Sequence, residues 1–197
     1  MANDREISIR AAESWAREAL AAEVPAMAWT PGTELACWQG RARAELARLL
    51  GLDRFRRTEA CTQVEFERPV PGGTELRFTF RSEEGWRVPC HLFLPEGVAR
   101  PPVMLCLQGH ATGMHISMGR PKYEGDELLI RGGDRDFCVR ALREGFAAIA
   151  MEQRAFGECG GDEKGPRCYE AAMTALLTGR TLLGARVWDV RRLIDVL

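Results

Sequence analysis

The sequence predicts an α/β fold in which antiparallel strands lead into a parallel sheet with crossover helices, behind an N-terminal helical segment. Three observations predict it. Residues 5–50 are dominated by Ala, Glu, Arg and Leu, all good helix formers. Residues 60–94 alternate apolar and polar side chains with period two, as strands with one wet face do. From Pro102 onward, two unbroken apolar runs flank a helix-length segment, the pattern of a strand–helix–strand unit with a right-handed crossover.

The elements follow in order. Ala11 to Ala22 and Thr33 to Leu50 are the first two helices, separated by Pro25, Pro31 and Gly32 and stopped by Gly51. This helical extension occupies residues 1–55, and a second domain occupies 56–197. Three alternating strands open that domain: Thr62 to Glu67, Glu75 to Arg81 and Trp86 to Leu94. Pro71-Gly72-Gly73 and Glu83-Glu84-Gly85 supply the turns between them. Pro102 to Leu107 is continuously apolar, which predicts a strand buried on both faces. A long loop, Gln108 to Gly133, precedes a helix from Arg135 to Glu144 with Asp134 as its cap and Gly145 as its stop. Phe146 to Met151 is the second buried strand. Two helices close the chain, Tyr169 to Leu177 and Leu183 to Leu197; in the latter Leu183, Val187, Val190, Ile194 and Leu197 fall at helical spacing.

Composition excludes several classes of partner. The 27 basic and 28 acidic residues leave a net charge of −1, so no electrostatic attraction to nucleic acid or to an anionic membrane is expected. No apolar run approaches the ~18 residues needed to cross a bilayer. The charged start Met1-Ala2-Asn3-Asp4-Arg5-Glu6 lacks the apolar core of a signal peptide, which predicts a cytoplasmic location. The seven cysteines are scattered, odd in number and without a Cys-x-x-Cys pair, so they read as free thiols rather than a disulfide framework. His110 and His115 lack the spacing of a zinc helix, and no phosphate- or dinucleotide-binding glycine motif occurs. No metal and no cofactor is expected.

Two stretches carry chemistry. In Leu105-Cys106-Leu107-Gln108-Gly109-His110-Ala111, a buried strand delivers a glycine turn to the carboxyl edge of a parallel sheet, where open α/β sheets bind ligands. Glycine lets the backbone approach a ligand closely, so an N–H there can face a developing oxyanion; a plain strand-to-loop turn is the other reading. In Met151-Glu152-Gln153-Arg154-Ala155-Phe156-Gly157-Glu158, charges appear abruptly at the end of the second buried strand. A buried arginine needs a partner. Arg154 and Asp189, which interrupts the apolar side of the last helix, are therefore expected either to pair or to bond backbone groups of the crossover loop; two solvent-exposed charges are the alternative.

Taken together, this order of strand, Gln-Gly-His turn, loop, helix, strand and Glu-Gln-Arg-Ala-Phe-Gly-Glu resembles the α/β-hydrolase fold. Within it, the sequence is most similar to the acetyl-xylan-esterase, cephalosporin-deacetylase and dienelactone-hydrolase-like group. Gln108-Gly109 matches the His-Gly oxyanion motif, with Gln in place of His. Glu152 to Gly157 matches the Asp-x-Arg-Gly-x-Gly segment, with Ala155 in place of Gly. Phe80 to Pro95 matches the opening antiparallel hairpin. The resemblance covers about residues 60–197 and leaves the N-terminal helices outside.

That resemblance implies a carboxylic ester hydrolase of the serine-nucleophile type, with acetyl esters among its small-molecule substrates. It implies that the oxyanion is met by the backbone N–H of His110, with Ala111 beside it, on a loop formed by Gln108 and Gly109. It also implies a Gly-x-Ser-x-Gly elbow after the Leu183–Leu197 helix, then an acid and a histidine. The serines are Ser8, Ser14, Ser82 and Ser117, and none lies in such an elbow. The expectation is thus the N-terminal part of a hydrolase domain, truncated before the elbow, without a triad member and inactive alone. The alternative is a hydrolase-like binding or interaction protein without catalysis. In that case the flank of the second parallel strand lacks a neighbour, exposing an apolar patch that favours a homo-oligomer.

Overall fold

The computed structural model describes residues 11–161 and 166–197. The chain divides into two compact units, one ending at Glu45 and one running from Leu46 to Leu197. The first contains α1 (Ala12–Ala22) and most of α2 (Leu35–Leu49). Helix α1 buries no residue. At the start of α2, the Glu34 carboxylate accepts the otherwise orphaned N–H groups of Ala36 (3.0 Å) and Cys37 (2.6 Å), which sets where the helix begins. Trp38 Nε1 donates to Met27 O at 2.9 Å and ties α2 to the preceding loop.

The second unit is built on one mixed five-stranded sheet. Its strands are β1 (Gln63–Val70), β2 (Gly73–Glu83), β3 (Trp86–Pro95), β4 (Val103–Cys106) and β5 (Ala147–Met151). Their spatial order is β1-β2-β3-β5-β4. The first three form an antiparallel meander, with Phe78 opposite Cys90 and Phe80 opposite Val88. Gly72 (φ +85°) and Gly85 (φ +72°) sit in its two turns, in the left-handed conformation that glycine adopts without a Cβ clash. Strand β5 runs antiparallel to β3 and parallel to β4, pairing Leu105 with Ile149.

Between β4 and β5 the chain makes a turn of 3-10 helix (Met114–Ile116), then α3 (Asp126–Gly132) and α4 (Phe137–Arg143). After β5 come a second 3-10 turn (Gly157–Cys159), α5 (Cys168–Leu177) and α6 (Leu182–Ile194). The period-two pleat of β5 sends its side chains to both faces of the sheet. Ala148 and Ala150 join Phe93, Cys106, Cys138 and Leu142 in a core under α4. Ile149 and Met151 join Phe78, Phe80, Val88 and Leu193 in a core under α6. All five residues of β5 are buried, so this strand is the spine of the unit.

Four expectations are corrected. Strand β4 is not buried on both faces: Val103 is 49% and Met104 40% exposed, because β4 lies at the edge of the sheet. The second parallel strand does not lack a neighbour; the chain crosses back to insert β5 between β3 and β4, so the unpaired flank belongs to β4. The connection between the parallel strands holds two short helices rather than one long loop and a ten-residue helix. Asp134 does not cap α4; it takes a left-handed φ of +47° two residues before the N-cap position, Asp136. Among the described residues, no helix is long and apolar enough to cross a membrane.

Candidate functional site

The site lies where β4 and β5 end side by side. Gln108 leaves β4 and Glu152 leaves β5, two residues and one residue past the last paired positions. Their side chains lock the two exits together. Gln108 Nε2 donates to Glu152 Oε1 at 3.0 Å, and Gln153 Nε2 donates to the Gln108 carbonyl at 2.6 Å. Met114 N–H donates to the same Glu152 oxygen at 3.0 Å, and Glu158 N–H donates to Oε2 at 3.3 Å. One carboxylate thus gathers the β4 exit, the 3-10 turn beyond it and the turn after β5.

Two glycines make room for that carboxylate. A Cβ on Gly157 (φ +40°) would overlap Glu152 Oε2, and one on Gly113 would stand 3.0 Å from it. Glu152 is 2% exposed, and burial pushes its carboxyl up to about 7, against the lowering effect of the Glu158 and Met114 N–H donors. Gln108 keeps one buried polar atom, Oε1, without a partner among the described residues.

The turn that Glu152 anchors presents free backbone donors. Among the described residues, neither the His110 nor the Ala111 N–H has a hydrogen-bond acceptor. Ala111 is buried, whereas the His110 ring is exposed and meets Phe156 edge-on at 5.9 Å. Gln108, Gly109, His110 and Ala111 line a cavity of about 400 Å³, closed on its other side by Arg135 and Phe137. Unpaired N–H groups beside a cavity are the geometry that stabilises a developing negative charge.

Behind the turn lies a buried imidazole–carboxylate pair. His115 Nε2 contacts Asp126 Oδ2 at 2.8 Å; Thr112 donates to Asp126 Oδ1 at 2.8 Å, and the Lys122 and Tyr123 N–H groups donate to Oδ2. Burial lowers the His115 pKa below its ordinary value although Asp126 opposes this. Burial alone would raise Asp126, but the Lys122, Thr112, Tyr123 and His115 donors together hold it below the usual carboxylate range. The pair pins Thr112 and His115 to the start of α3 and so holds the far end of the loop.

A polar chain across β2 and β3 braces both loops. Glu75 on β2 is fully buried and receives both Nη atoms of Arg120 (2.6 and 2.7 Å), Arg68 Nε (2.8 Å) and His91 Nδ1 (2.6 Å). Arg77 Nη1 lies 2.9 Å from His91 Nε2. A guanidinium only donates, so Nε2 accepts and the His91 proton sits on Nδ1, facing Glu75. Arg77 also grips both carboxylate oxygens of Glu158, at 2.8 and 2.5 Å. The chain therefore runs from the segment carrying Arg120, through Glu75, His91 and Arg77, to the turn carrying Glu158.

The structure brings Arg154 and Asp189 together. Arg154 Nε lies 2.7 Å from Oδ2 and Nη2 lies 2.8 Å from Oδ1, a bidentate pair. Arg154 also reaches Glu83 at 2.7 Å and stacks over Trp86, while Ser82 donates to Asp189. This cluster fastens α6 to the β2–β3 turn, and Arg186 caps it by donating to the Arg154 carbonyl. Glu152 was noted only as part of a charged strand end and His115 only as lacking zinc spacing; the clamp and the pairs made by Glu152, His115, Asp126 and Glu75 were not expected. For Glu152 a signal existed, a charge directly after five apolar strand residues. For the others, partners 11 to 45 positions apart left none.

An α/β unit with a mixed sheet, helices on both faces and its loops at the carboxyl ends of β4 and β5 is similar to solved esterase structures. The chain is similar to a Bacteroides fragilis protein assigned as an acetyl xylan esterase, with a TM-score of 0.75 at 14% identity over 95% of this chain and 50% of that one. It is also similar to a glucuronoyl esterase from Solibacter usitatus, with a TM-score of 0.52 at 18% identity over 90% of this chain and 55% of that one. The chain thus spans about half the length of these structures. At 95% coverage the first likeness extends into the helical segment ahead of residue 56, wider than the motifs alone indicated. No family model and no curated protein matches the sequence.

Proposed function

We propose that residues 56–197 form the N-terminal part of an α/β-hydrolase domain of a carboxylic ester hydrolase, and that they supply the scaffold and the backbone half of its oxyanion hole. The observation that carries this reading is the pair of unpartnered N–H groups at His110 and Ala111, on a turn clamped by Glu152 at the exit of two parallel strands. Preorganised donors lower a barrier because they need no reorientation when charge develops. Small-molecule esters, acetyl esters among them, are the substrate class.

Among the described residues of the second unit, no serine is placed as a nucleophile. Ser82 is buried and donates to Asp189, and Ser117 is buried with its hydroxyl unpartnered among the described residues. Neither meets a histidine. The nucleophile, its base and the second oxyanion donor belong to sequence not contained in these residues. The test is a p-nitrophenyl acetate assay: this chain is expected to show no turnover sensitive to serine reagents. Robust sensitive turnover would overturn the reading. In a protein that carries the triad, His110→Ala is expected to change kcat less than about threefold, since the donor is the backbone.

A second reading, a hydrolase-like binding protein without catalysis, is favoured by one observation. The outer edge of β4 exposes Val103, Met104 and Leu107 beside an 880 Å³ groove under α4. An apolar strand edge invites a further strand, from a partner or from a second copy in a homo-oligomer. Sedimentation of the chain as it exists distinguishes them: concentration-dependent association supports this reading, and a monomer at all concentrations removes the homo-oligomer.

A further inference from the structure

The cavity at the His110 turn has a cationic wall. Of the residues that line it, Arg135 is the one Lys, Arg, Asp or Glu. Arg135 is half-buried, and among the described residues its guanidinium has no hydrogen-bond or ion-pair partner. A half-buried, unpaired guanidinium is an unmet demand for an anion.

The backbone is shaped to place it there. A Cβ on Gly133 would stand 2.7 Å from Arg135 Nε and 3.1 Å from Cγ, so the bare glycine lets the side chain lie close over that turn. Asp134, next in the chain, takes the uncommon left-handed φ of +47°, and Arg140 holds its carbonyl at 3.1 Å. Arg135 N–H is fixed to the Ile130 carbonyl at 3.0 Å. Local conformational cost and a missing Cβ are thus concentrated on the two residues that aim this guanidinium.

We propose that Arg135 recognises a carboxylate on the ester, so that this site takes anionic esters in preference to neutral ones. The inference rests on the oxyanion-turn reading of His110 and Ala111 and adds the charge of the substrate to it. The carbonyl oxygen of the ester faces the two N–H groups, and a carboxylate elsewhere on the same molecule meets the guanidinium across the cavity. The carboxylate can sit on the acid part or on the alcohol part, and the two are separable by experiment.

Amide NMR titration of the full chain tests it with three small esters. Monomethyl malonate bears its charge on the acid part, acetoxyacetate on the alcohol part, and dimethyl malonate bears none. At low salt, at least one monoanion is expected to shift the His110 and Ala111 amides with a Kd about tenfold below that of dimethyl malonate, the worth of one charge-assisted hydrogen bond. The monoanion that does so identifies the part carrying the charge. Arg135→Gln is expected to erase the difference, and Arg131→Gln, which alters an exposed α3 ion pair with Glu127, to preserve it. If the diester and both monoanions shift these amides with equal Kd, or if Arg135→Gln leaves the preference intact, the charge inference fails and the oxyanion reading stands. If no ester shifts them, both fail.

Discussion

Glu75 and Glu152 are the same side chain in equally dry places, yet they titrate in opposite directions. Glu75 is fully buried and Glu152 is 2% exposed. Burial by itself raises any carboxyl. At Glu75 that rise is outweighed by Arg120, Arg68 and His91, and the carboxyl falls to about 2. At Glu152 the donors are an amide and two backbone N–H groups, all neutral, and the nearby Glu158 charge is of the same sign; its carboxyl stands at about 7. Each carboxylate has three or more donors, so the number of hydrogen bonds does not decide the outcome. Formal charge on the donors does. One carboxylate is therefore a fixed anion that braces the sheet, and the other a group poised to change protonation beside the candidate site.

The largest effect comes from removing the fixed anion. Glu75→Ala leaves Arg120 and His91 without their shared acceptor, and breaking a buried ionic cluster costs about 3–5 kcal/mol. Because the Arg68 and Arg120 side chains keep some access to water, a loss near 3 kcal/mol is expected in urea unfolding. A loss under about 1 kcal/mol would break the contrast. The sign of its pH dependence is also fixed. The folded pKa lies below the ordinary value of 4.5, so the stability that Glu75 contributes is present above about pH 4.5 and is lost as pH falls toward 2.

Glu152 has the opposite sign. Its folded pKa of about 7 exceeds the ordinary 4.5, so the folded state holds a proton that the unfolded chain has already released. Stability from this group is full below about pH 4.5 and declines as pH rises to about 7, by up to about 3 kcal/mol. His91 and His115, whose pKa values are lowered chiefly by burial, work the other way, losing stability as pH falls below about 6.5. Comparing Glu152→Gln with the parent removes that background. The difference in unfolding free energy is expected to grow in favour of the variant between pH 5 and pH 7.5. A flat difference would mean that Glu152 is already charged at pH 5 and that neutral donors suffice.

Much of the fold was legible because it rests on short-range patterns. Alternation in Glu75–Arg81 and Trp86–Leu94 fixed the β2–β3 hairpin, and the unbroken apolar run at Phe146–Met151 marked the central strand. The same rule misjudged β4, since an apolar run reports the burial a strand is suited to, not the place it takes in the sheet. Strand order was invisible for the same reason: whether β5 lies outside or inside β4 depends on a crossover that no local pattern encodes. The Gln108–Ala111 turn and Arg154 were picked out because each follows the end of an apolar strand, and Asp189 because it interrupts an apolar helix face. The Glu75 cluster escaped notice, because Glu75 sits at an ordinary polar position of an alternating strand and its partner Arg120 lies 45 residues away.

The smallest effect isolates backbone from side chain at the turn after β5. Ala155 takes a left-handed φ of +68°, a region that favours glycine. An L-residue pays about 1–2 kcal/mol there, because its Cβ crowds the following carbonyl. The conformation persists because the turn is held from both sides: Ala155 N–H donates to the Cys159 carbonyl at 3.0 Å, and Arg167 N–H donates to the Ala155 carbonyl at 2.8 Å. Ala155→Gly removes the crowding but gives the unfolded chain more freedom, worth about 0.5–1 kcal/mol in the other direction. The net expectation is a gain of about 0.5–1 kcal/mol in thermal or urea unfolding, with the Glu152 pH dependence unchanged. A loss on this substitution would show that the buried Ala155 methyl contributes more through packing than its φ costs, and the turn would then be held by side-chain contact rather than by its two backbone bonds.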